Sequence, residues 1–169
     1  HTADGRVYQY NGAGDGRPEL PHAWDDLPTP LGAWKRGWGI FFAYNNGQHR
    51  EDGQGHKDVL QFEAVEDADL PDGLLAETAI TRLAQYSKSS QPFFLGLGFF
   101  KPHLPFVATK SDWDAFADVT IPGPPYPDKP DSEYYHGSGE FFKYTFPFTK
   151  TRPLGASKIQ ELRRAYLAS

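Results

Sequence analysis

Residues 92–106 have the sequence PFFLGLGFFKPHLPF, and this stretch decides what can be predicted about the fold. The run from Pro92 to Phe100 is almost wholly apolar and rich in Phe. Such a run is typical of a strand that is covered on both faces in the parallel sheet of an α/β protein. Pro102 and Pro105 prevent the strand from continuing in the interior of a sheet. The sequence therefore predicts a buried strand that ends in a short loop.

Lys101 and His103 come directly after the end of this predicted strand. In open α/β sheets, ligands bind in the crevice outside the carboxyl ends of the strands. A cation and a titratable imidazole at that position indicate a site for an anion and for proton transfer. Pro102 favours an extended backbone at Lys101, which would place both side chains on the same side. The alternatives are a loop histidine that binds a backbone carbonyl and a solvated lysine.

A helix is predicted just before the strand. Asp72 is a candidate N-cap, and Ser87 and the residues up to Gln91 interrupt the helical pattern. The apolar positions between them lie on one helical face: Ala76, Ala79, Ile80, Leu83 and Ala84. A second helical stripe near the end of the chain consists of Ile159, Leu162, Tyr166 and Leu167. Helix followed by apolar strand is the order of an α/β unit.

Much of the remaining chain is predicted to be loop. The 169 residues include 17 glycines and 15 prolines, and only 38% are apolar. Residues 38–44 are an internal exception, which the pattern assigns to a short strand or a buried loop. Aromatic residues make up 15% of the chain, which argues against disorder. We therefore expect one domain with long ordered loops that pack on a body partly outside this chain.

Charge and composition exclude several classes of function. The net charge is −5 and there is no basic run, so duplex nucleic acid is not an expected partner. No apolar stretch approaches the length of a membrane span, and no membrane association is expected. The chain contains no Cys, which excludes disulfides.

Residues 70–116 resemble the segment that carries an active-site Lys-Pro-His in the formylglycine-dependent (type I) sulfatases of the alkaline phosphatase superfamily. The nearest subgroup is iduronate-2-sulfatase-like. The opening HTADGR resembles the end of a Gly-Lys-(apolar)-Phe-His motif and the residues just after it, with His1 as the last residue of that motif. The closing KIQELRRAYLAS resembles the start of the helix that comes after the site loop in this family.

The resemblance implies an α/β fold that is part of an alkaline-phosphatase-like α/β/α sandwich with long irregular loops. On this basis residues 1–169 are expected to be a partial sulfatase catalytic domain. Its parts would be a loop-rich segment (1–58), a helix, strand and site loop (59–117), an irregular loop (118–155) and the start of a helix (156–169).

The resemblance also implies calcium and a formylglycine nucleophile for the full-length enzyme. The family carries that nucleophile in a Cys-x-Pro-x-Arg motif and binds calcium through paired acidic residues that come after strands. This chain has no Cys, and Asp25 and Asp26 lie in a Pro-rich loop. We therefore expect this chain to contain neither the metal ligands nor the nucleophile. It would then be an internal fragment of the enzyme that is inactive alone. Secretion or periplasmic residence is expected from the family.

Three residues receive a role from the resemblance. His103 would contact the sulfate and protonate the leaving alcohol oxygen, and His1 would be a second sulfate contact. Lys101 would bind the substrate by facing the sulfate or an acidic sugar. The expected partners are a sulfated sugar or polysaccharide and the remainder of the sulfatase domain.

Several alternatives remain open from the sequence. One is a phosphodiesterase or phosphonate hydrolase of the same superfamily, and another is a non-catalytic carbohydrate-binding module. The module would use the aromatic loops 34–38 and 134–135 to stack on sugars, and it should fold alone. A metal site and a second anion site are further hypotheses; their residues are His49, Asp52 and His56 for the metal, and Lys35, Arg36 and Arg50 for the anion. His22 and His136 are loop histidines, the latter in a loop that could border a substrate cleft.

Overall fold

Two short parallel strands, connected through a long helix, lie at the centre of this chain in a computed structural model. The structure describes residues 23–28, 32–34, 38–128, 131, 139–145 and 154–169. In these ranges the regular elements are β1 (Leu60–Ala64), α1 (Pro71–Tyr86), β2 (Phe106–Thr109), α2 (Lys110–Phe116) and α3 (Ala156–Ala168). None of the helices in these ranges is both long enough and apolar enough to cross a membrane.

The strands β1 and β2 pair in parallel, with Leu60 opposite Phe106 and Ala64 opposite Thr109. The pairing begins where the Phe106 amide donates to the Val59 carbonyl at 2.9 Å. Parallel neighbours require a crossover connection, and α1 supplies its helix. The predicted α/β class is therefore confirmed by this β–α–β unit.

The predicted strand over 92–100 is wrong for the part of the chain that the structure describes. Residues 92–99 have irregular backbone, and the Phe94 side chain is 79% exposed. The strand instead begins after Pro105, and all four residues of β2 are buried. An apolar run forms a strand only where another strand supplies hydrogen-bond partners. The described residues place β1 beside β2 and no strand beside 92–99.

The helix α1 begins and ends close to the predicted positions. Pro71 occupies the first helical position, where its missing N–H costs nothing, and Ser87 ends the helix. The prediction that Asp72 caps the helix is wrong, because Leu70 is the N-cap residue and Asp72 lies inside the first turn. Of the predicted apolar face, Ala79 is buried, whereas Ile80 is 66% exposed.

Residues 38–44 do not form a strand; Ile40, Phe42, Ala43 and Tyr44 are buried, as the alternative of a buried loop predicts, but part of the segment is helical. A 3-10 helix covers Trp38–Phe42, and Ala43 then forms an isolated antiparallel bridge with His49. The turn between them contains Gly47 at φ 75°, where an added Cβ would lie 2.9 Å from the Ala33 carbonyl oxygen. Glycine is required there by both the backbone conformation and the close approach.

The helices α2 and α3 pack on the two strands. The Thr109 hydroxyl caps α2 by accepting from the Asp112 amide at 3.2 Å, and Trp113 stacks on Phe62 at 4.6 Å between ring centroids. Helix α3 turns Ala165 into the core, where it is fully buried. The predicted stripe is therefore only partly correct, since Leu162 packs on the core whereas Tyr166 and Leu167 are 52% and 46% exposed.

Within the described ranges, buried hydrophobic residues form three small clusters and no single core. The first comprises Val59, Leu104, Phe106, Tyr144 and Ala165. The second comprises Tyr44, Ala64, Leu70 and Val107, and the third Trp34, Ile40 and Ala43. The described elements therefore pack in separate local groups.

Candidate functional site

The site loop, residues 100–105, lies between the irregular run 92–99 and β2. It begins with a turn in which the His103 amide donates to the Phe100 carbonyl at 3.0 Å. Lys101 and His103 therefore stand before a described strand, not beyond the carboxyl end of one. The prediction that the site loop follows the carboxyl end of a strand is wrong, because the described strand lies after Pro102 and Pro105 and not before them.

The His103 ring is held in one orientation by three contacts. Its Nδ1 lies 2.7 Å from the Leu104 carbonyl oxygen, and because a carbonyl only accepts, Nδ1 carries the proton. The ring packs edge-on against Phe41 and Phe42, at 6.0 and 5.4 Å between centroids. Nε2 makes no hydrogen bond to the described residues, so it is the nitrogen that can meet a ligand.

The Lys101 side chain folds back over its own loop. Its ammonium donates to the carbonyl oxygens of Pro105 at 2.5 Å and of His103 at 3.3 Å. Burial lowers the pKa of Lys101 to about 7, and the carboxylate of Asp72 opposes that shift. The alternative of a solvated lysine is therefore not what the structure shows.

A cleft of about 340 Å³ lies beside Lys101. Its lining includes Ile40, Leu70, Asp72, Phe100, Lys101 and Val107. A larger groove of about 610 Å³ runs between α1 and residues 91–98. His103 lines neither of the two, so in the described residues the imidazole faces outward while the lysine borders a cleft.

Asp72 is a site residue that the sequence did not reveal. Its Oδ1 accepts from the Phe100 amide at 2.9 Å, and its Oδ2 accepts from the Lys101 amide at 2.8 Å. Asp72 is 28 positions from Phe100 and 29 positions from Lys101 along the chain, so no local pattern predicts these contacts. The sequence signal that could have indicated this role was an acidic residue at the predicted start of a helix. The local pattern assigned Asp72 to helix capping instead.

The lowered pKa of Lys101 predicts how stability depends on pH. The folded chain releases this proton near pH 7, whereas the ordinary value is 10.5. Between those two values the unfolded chain binds more protons, so the free energy of unfolding rises with pH. One proton contributes at most about 1.4 kcal/mol per pH unit. We expect Lys101→Met to flatten this rise in urea titrations between pH 7 and 10, and the exposed Lys88→Met to leave it unchanged. An unchanged slope in Lys101→Met would contradict the prediction.

Arg50 is neither a surface cation nor a ligand for a second anion. The residue is 6% exposed, and its guanidinium forms ion pairs with Glu51 at 2.8 Å and with Glu140. The guanidinium carbon also lies 3.7 Å from the centre of the Phe42 ring. Arg50 is therefore a buried residue that connects its own loop to the segment containing Glu140. The hypothesis of a second anion site and the alternative of a solvated surface cation are both wrong for Arg50.

The structure also contradicts a metal site at His49, Asp52 and His56. The His56 Nδ1 pairs with Asp52 at 2.7 Å, but His49 reaches Asp52 through its backbone amide. The His49 Nδ1 is buried and has no hydrogen-bond partner among the described residues. Within the ranges that the structure describes, no group of three or more acidic, His or Cys side chains could hold a metal ion.

Trp34 is not available to stack on a sugar. It is 5% exposed, and its Nε1 donates to the carbonyl oxygens of Tyr44 and Gln48, each at 3.0 Å. This observation removes one aromatic residue from the carbohydrate-binding hypothesis. His1, His22, Lys35, Arg36 and His136 lie outside the described residues, as do Tyr134 and Tyr135.

Two curated proteins are similar to part of this chain. Iduronate 2-sulfatase of Mus musculus is 37% identical over 87 residues, which is 48% of this chain and 15% of the mouse protein. Iduronate 2-sulfatase of Homo sapiens is 38% identical over 74 residues, 44% of this chain and 13% of the human protein. No family model matches the chain. The similarity supports a relationship to sulfatases over somewhat less than half of the chain.

Proposed function

We propose that this chain is part of a sulfuric-ester hydrolase that acts on a sulfated carbohydrate. The observation that carries the proposal is the site loop. It holds an ammonium and an imidazole two residues apart, each fixed by separate contacts, in a chain similar to iduronate 2-sulfatases. An ammonium can bind an anion, and an imidazole can transfer a proton to a leaving oxygen.

The contacts of His103 assign a role to each ring nitrogen. Because Nδ1 donates to the Leu104 carbonyl, Nε2 is the nitrogen that meets the substrate. In the imidazolium form, Nε2–H donates its proton to the alcohol oxygen as the bond from that oxygen to sulfur breaks. An alkoxide is a poor leaving group, so this donation lowers the barrier.

Lys101 is proposed to bind the sulfate. With a pKa of about 7, its ammonium is only partly charged near neutral pH in the described chain. A bound anion would favour the charged form and raise that pKa. His1 is proposed as a second sulfate contact on the family motif alone.

The formylglycine and calcium of the resembled family do not fit the residues of this chain. The sequence has no Cys from which formylglycine could form. The described residues also contain no cluster of metal ligands. We therefore propose that both belong to other parts of the protein.

The remainder of the sulfatase domain is the proposed partner of residues 92–99. This run is apolar, yet Phe93, Phe94 and Phe99 are 51%, 79% and 55% exposed. An exposed apolar patch of this kind is typical of a surface that another part of a protein covers. We propose that strands elsewhere in the protein pair with it and complete an α/β/α sandwich.

Activity assays on two forms of the protein test the proposal. The longer natural protein that contains this chain should hydrolyse a sulfated monosaccharide, and it should hydrolyse a phosphate diester or phosphonate much more slowly. The 169-residue chain alone should hydrolyse neither, because its sequence lacks the nucleophile. Faster turnover of the phosphate diester would favour the phosphodiesterase alternative. Sulfate hydrolysis by the isolated chain would refute the assignment of the nucleophile to other parts of the protein.

A further inference from the structure

The start of the site loop rests on a carboxylate from α1. Asp72 is the second residue of that helix, and the neighbouring Leu70 and Pro71 are both buried. Burial of these two neighbours fixes the point at which the helix begins. The carboxylate of Asp72 therefore stands on a rigid element, directly facing the backbone of Phe100 and Lys101.

The two backbone amides have no strand partner among the described residues, so an acceptor from elsewhere is needed. Both amides are partly buried, and Asp72 gives one oxygen to each, at 2.9 and 2.8 Å. Amides that are removed from water and lack a partner cost free energy. Hydrogen bonds to an ionised carboxylate are stronger than those between neutral groups. The first turn of a helix further favours a negative charge, because the helix dipole is positive there.

The remaining hydrogen bonds of the loop are local. The His103 amide bonds to Phe100, and the Lys101 ammonium bonds to carbonyls of His103 and Pro105. Within the described residues, the hydrogen bonds to Asp72 are the ones that connect residues 100–103 to another element, the helix α1. The direction in which Lys101 leaves the loop thus depends on a group in α1.

We propose that Asp72 is a positioning residue whose carboxylate holds two consecutive amides of the site loop and thereby orients Lys101. Asparagine offers one acceptor oxygen and no charge, so it would leave one amide facing an NH₂ group. Glutamate would move the carboxylate outward by one methylene. The hydrogen bonds from both amides to Asp72 are seen in the structure. A role of these bonds in catalysis rests on the proposed function.

Nuclear magnetic resonance of the 169-residue chain tests the contact directly. In the wild type, the amide protons of Phe100 and Lys101 should exchange slowly with solvent, because both amides donate to Asp72. In Asp72→Asn the exchange of both amides should accelerate by roughly 10- to 100-fold, as expected when a hydrogen bond to a charged group is lost.

Asp67→Asn is the matched control. The described charged side chains that line the same cleft are Asp67, Asp72, Lys101 and Asp112. Asp67 bonds neither of the two amides, so both should keep their wild-type exchange rates in this variant. Protection of the Phe106 amide, which pairs β2 to Val59, reports whether each variant keeps the fold.

The outcomes separate this inference from the proposed function. If the Phe100 and Lys101 amides exchange at the same rate in the wild type and in a folded Asp72→Asn, the positioning role is overturned. If the amides respond as expected but the longer protein hydrolyses no sulfate ester, the positioning role stands and the proposed function fails. If the longer protein is active, Asp72→Asn should lower kcat/KM while Asp67→Asn should not.

Discussion

His103→Ala in the longer protein should lower kcat for a sulfated sugar by about 10²–10⁴, the usual contribution of general acid catalysis. Nε2 is the ring nitrogen without a hydrogen bond to the described residues, and Nδ1 is engaged by the Leu104 carbonyl. Removal of the ring leaves the departing alkoxide without a proton donor. The fold should tolerate the change, because His103 is exposed and its ring contacts are edge-on.

The size of this effect should depend on the leaving group. An aryl sulfate releases a phenolate that needs little protonation, so its kcat should fall much less than that of the sugar sulfate. Steady-state kinetics on both substrates measure the difference. His56→Ala removes an imidazole that pairs with Asp52, and it should change kcat for neither substrate. An equal loss on both substrates in His103→Ala would speak against proton donation to the leaving oxygen.

Arg50→Met should reduce the free energy of unfolding by about 3 kcal/mol, the low end of the range for breaking a buried ion pair. The Arg50 side chain is 4% exposed, whereas that of Glu140 is 21% exposed and also pairs with Lys143 at 2.9 Å. Partial access to water and the second cation reduce the cost of leaving Glu140 without the guanidinium. The variant also loses the contact between the guanidinium and the Phe42 ring.

Urea denaturation of the wild type and of two variants measures this loss. Lys110→Met is the control, because Lys110 and Asp114 form an exposed pair, with side chains 71% and 55% accessible. Exposed pairs contribute little, so this variant should lose less than about 0.5 kcal/mol. A similar, small loss in both variants would show that the Arg50 pair does not hold the two loop segments together.

The pH dependence of the Arg50 pair has a defined sign. Burial acts to raise the pKa of Glu140, but the hydrogen bonds from Arg50 and Lys143 outweigh it and hold the pKa below its ordinary value. The pair therefore stabilises the fold above the ordinary pKa of a glutamate, about 4.3, and this contribution is lost as the pH falls further. Arg50→Met should accordingly lose less stability than the wild type between pH 5 and pH 3.

Arg50 and His103 share a neighbour. The guanidinium lies on the Phe42 ring at 3.7 Å, and the imidazole packs against the same ring at 5.4 Å. Loss of Arg50 is thus expected to loosen the support of the imidazole as well as the fold. Chemical shifts of the His103 ring in Arg50→Met report this second effect.

The sequence alone determined the position of the long helix, the loop that contains Lys101 and His103, and the extent of the irregular regions. The apolar spacing after Asp72 predicted the helix up to Ser87, because helical periodicity acts within a few residues. Pro102 and Pro105 placed Lys101 and His103 in a loop, since proline cannot continue an interior strand. The composition, rich in glycine and proline, also predicted long loops.

Only the tertiary structure decided which partners these residues have. The sequence of 92–100 suits a strand, but pairing with β1 occurs after Pro105, because strand formation depends on hydrogen bonds from a distant segment. Asp72 bonds amides 28 and 29 residues away, and Arg50 pairs with Glu140 across 90 residues. Contacts over such separations depend on how the chain packs, and no local spacing encodes them.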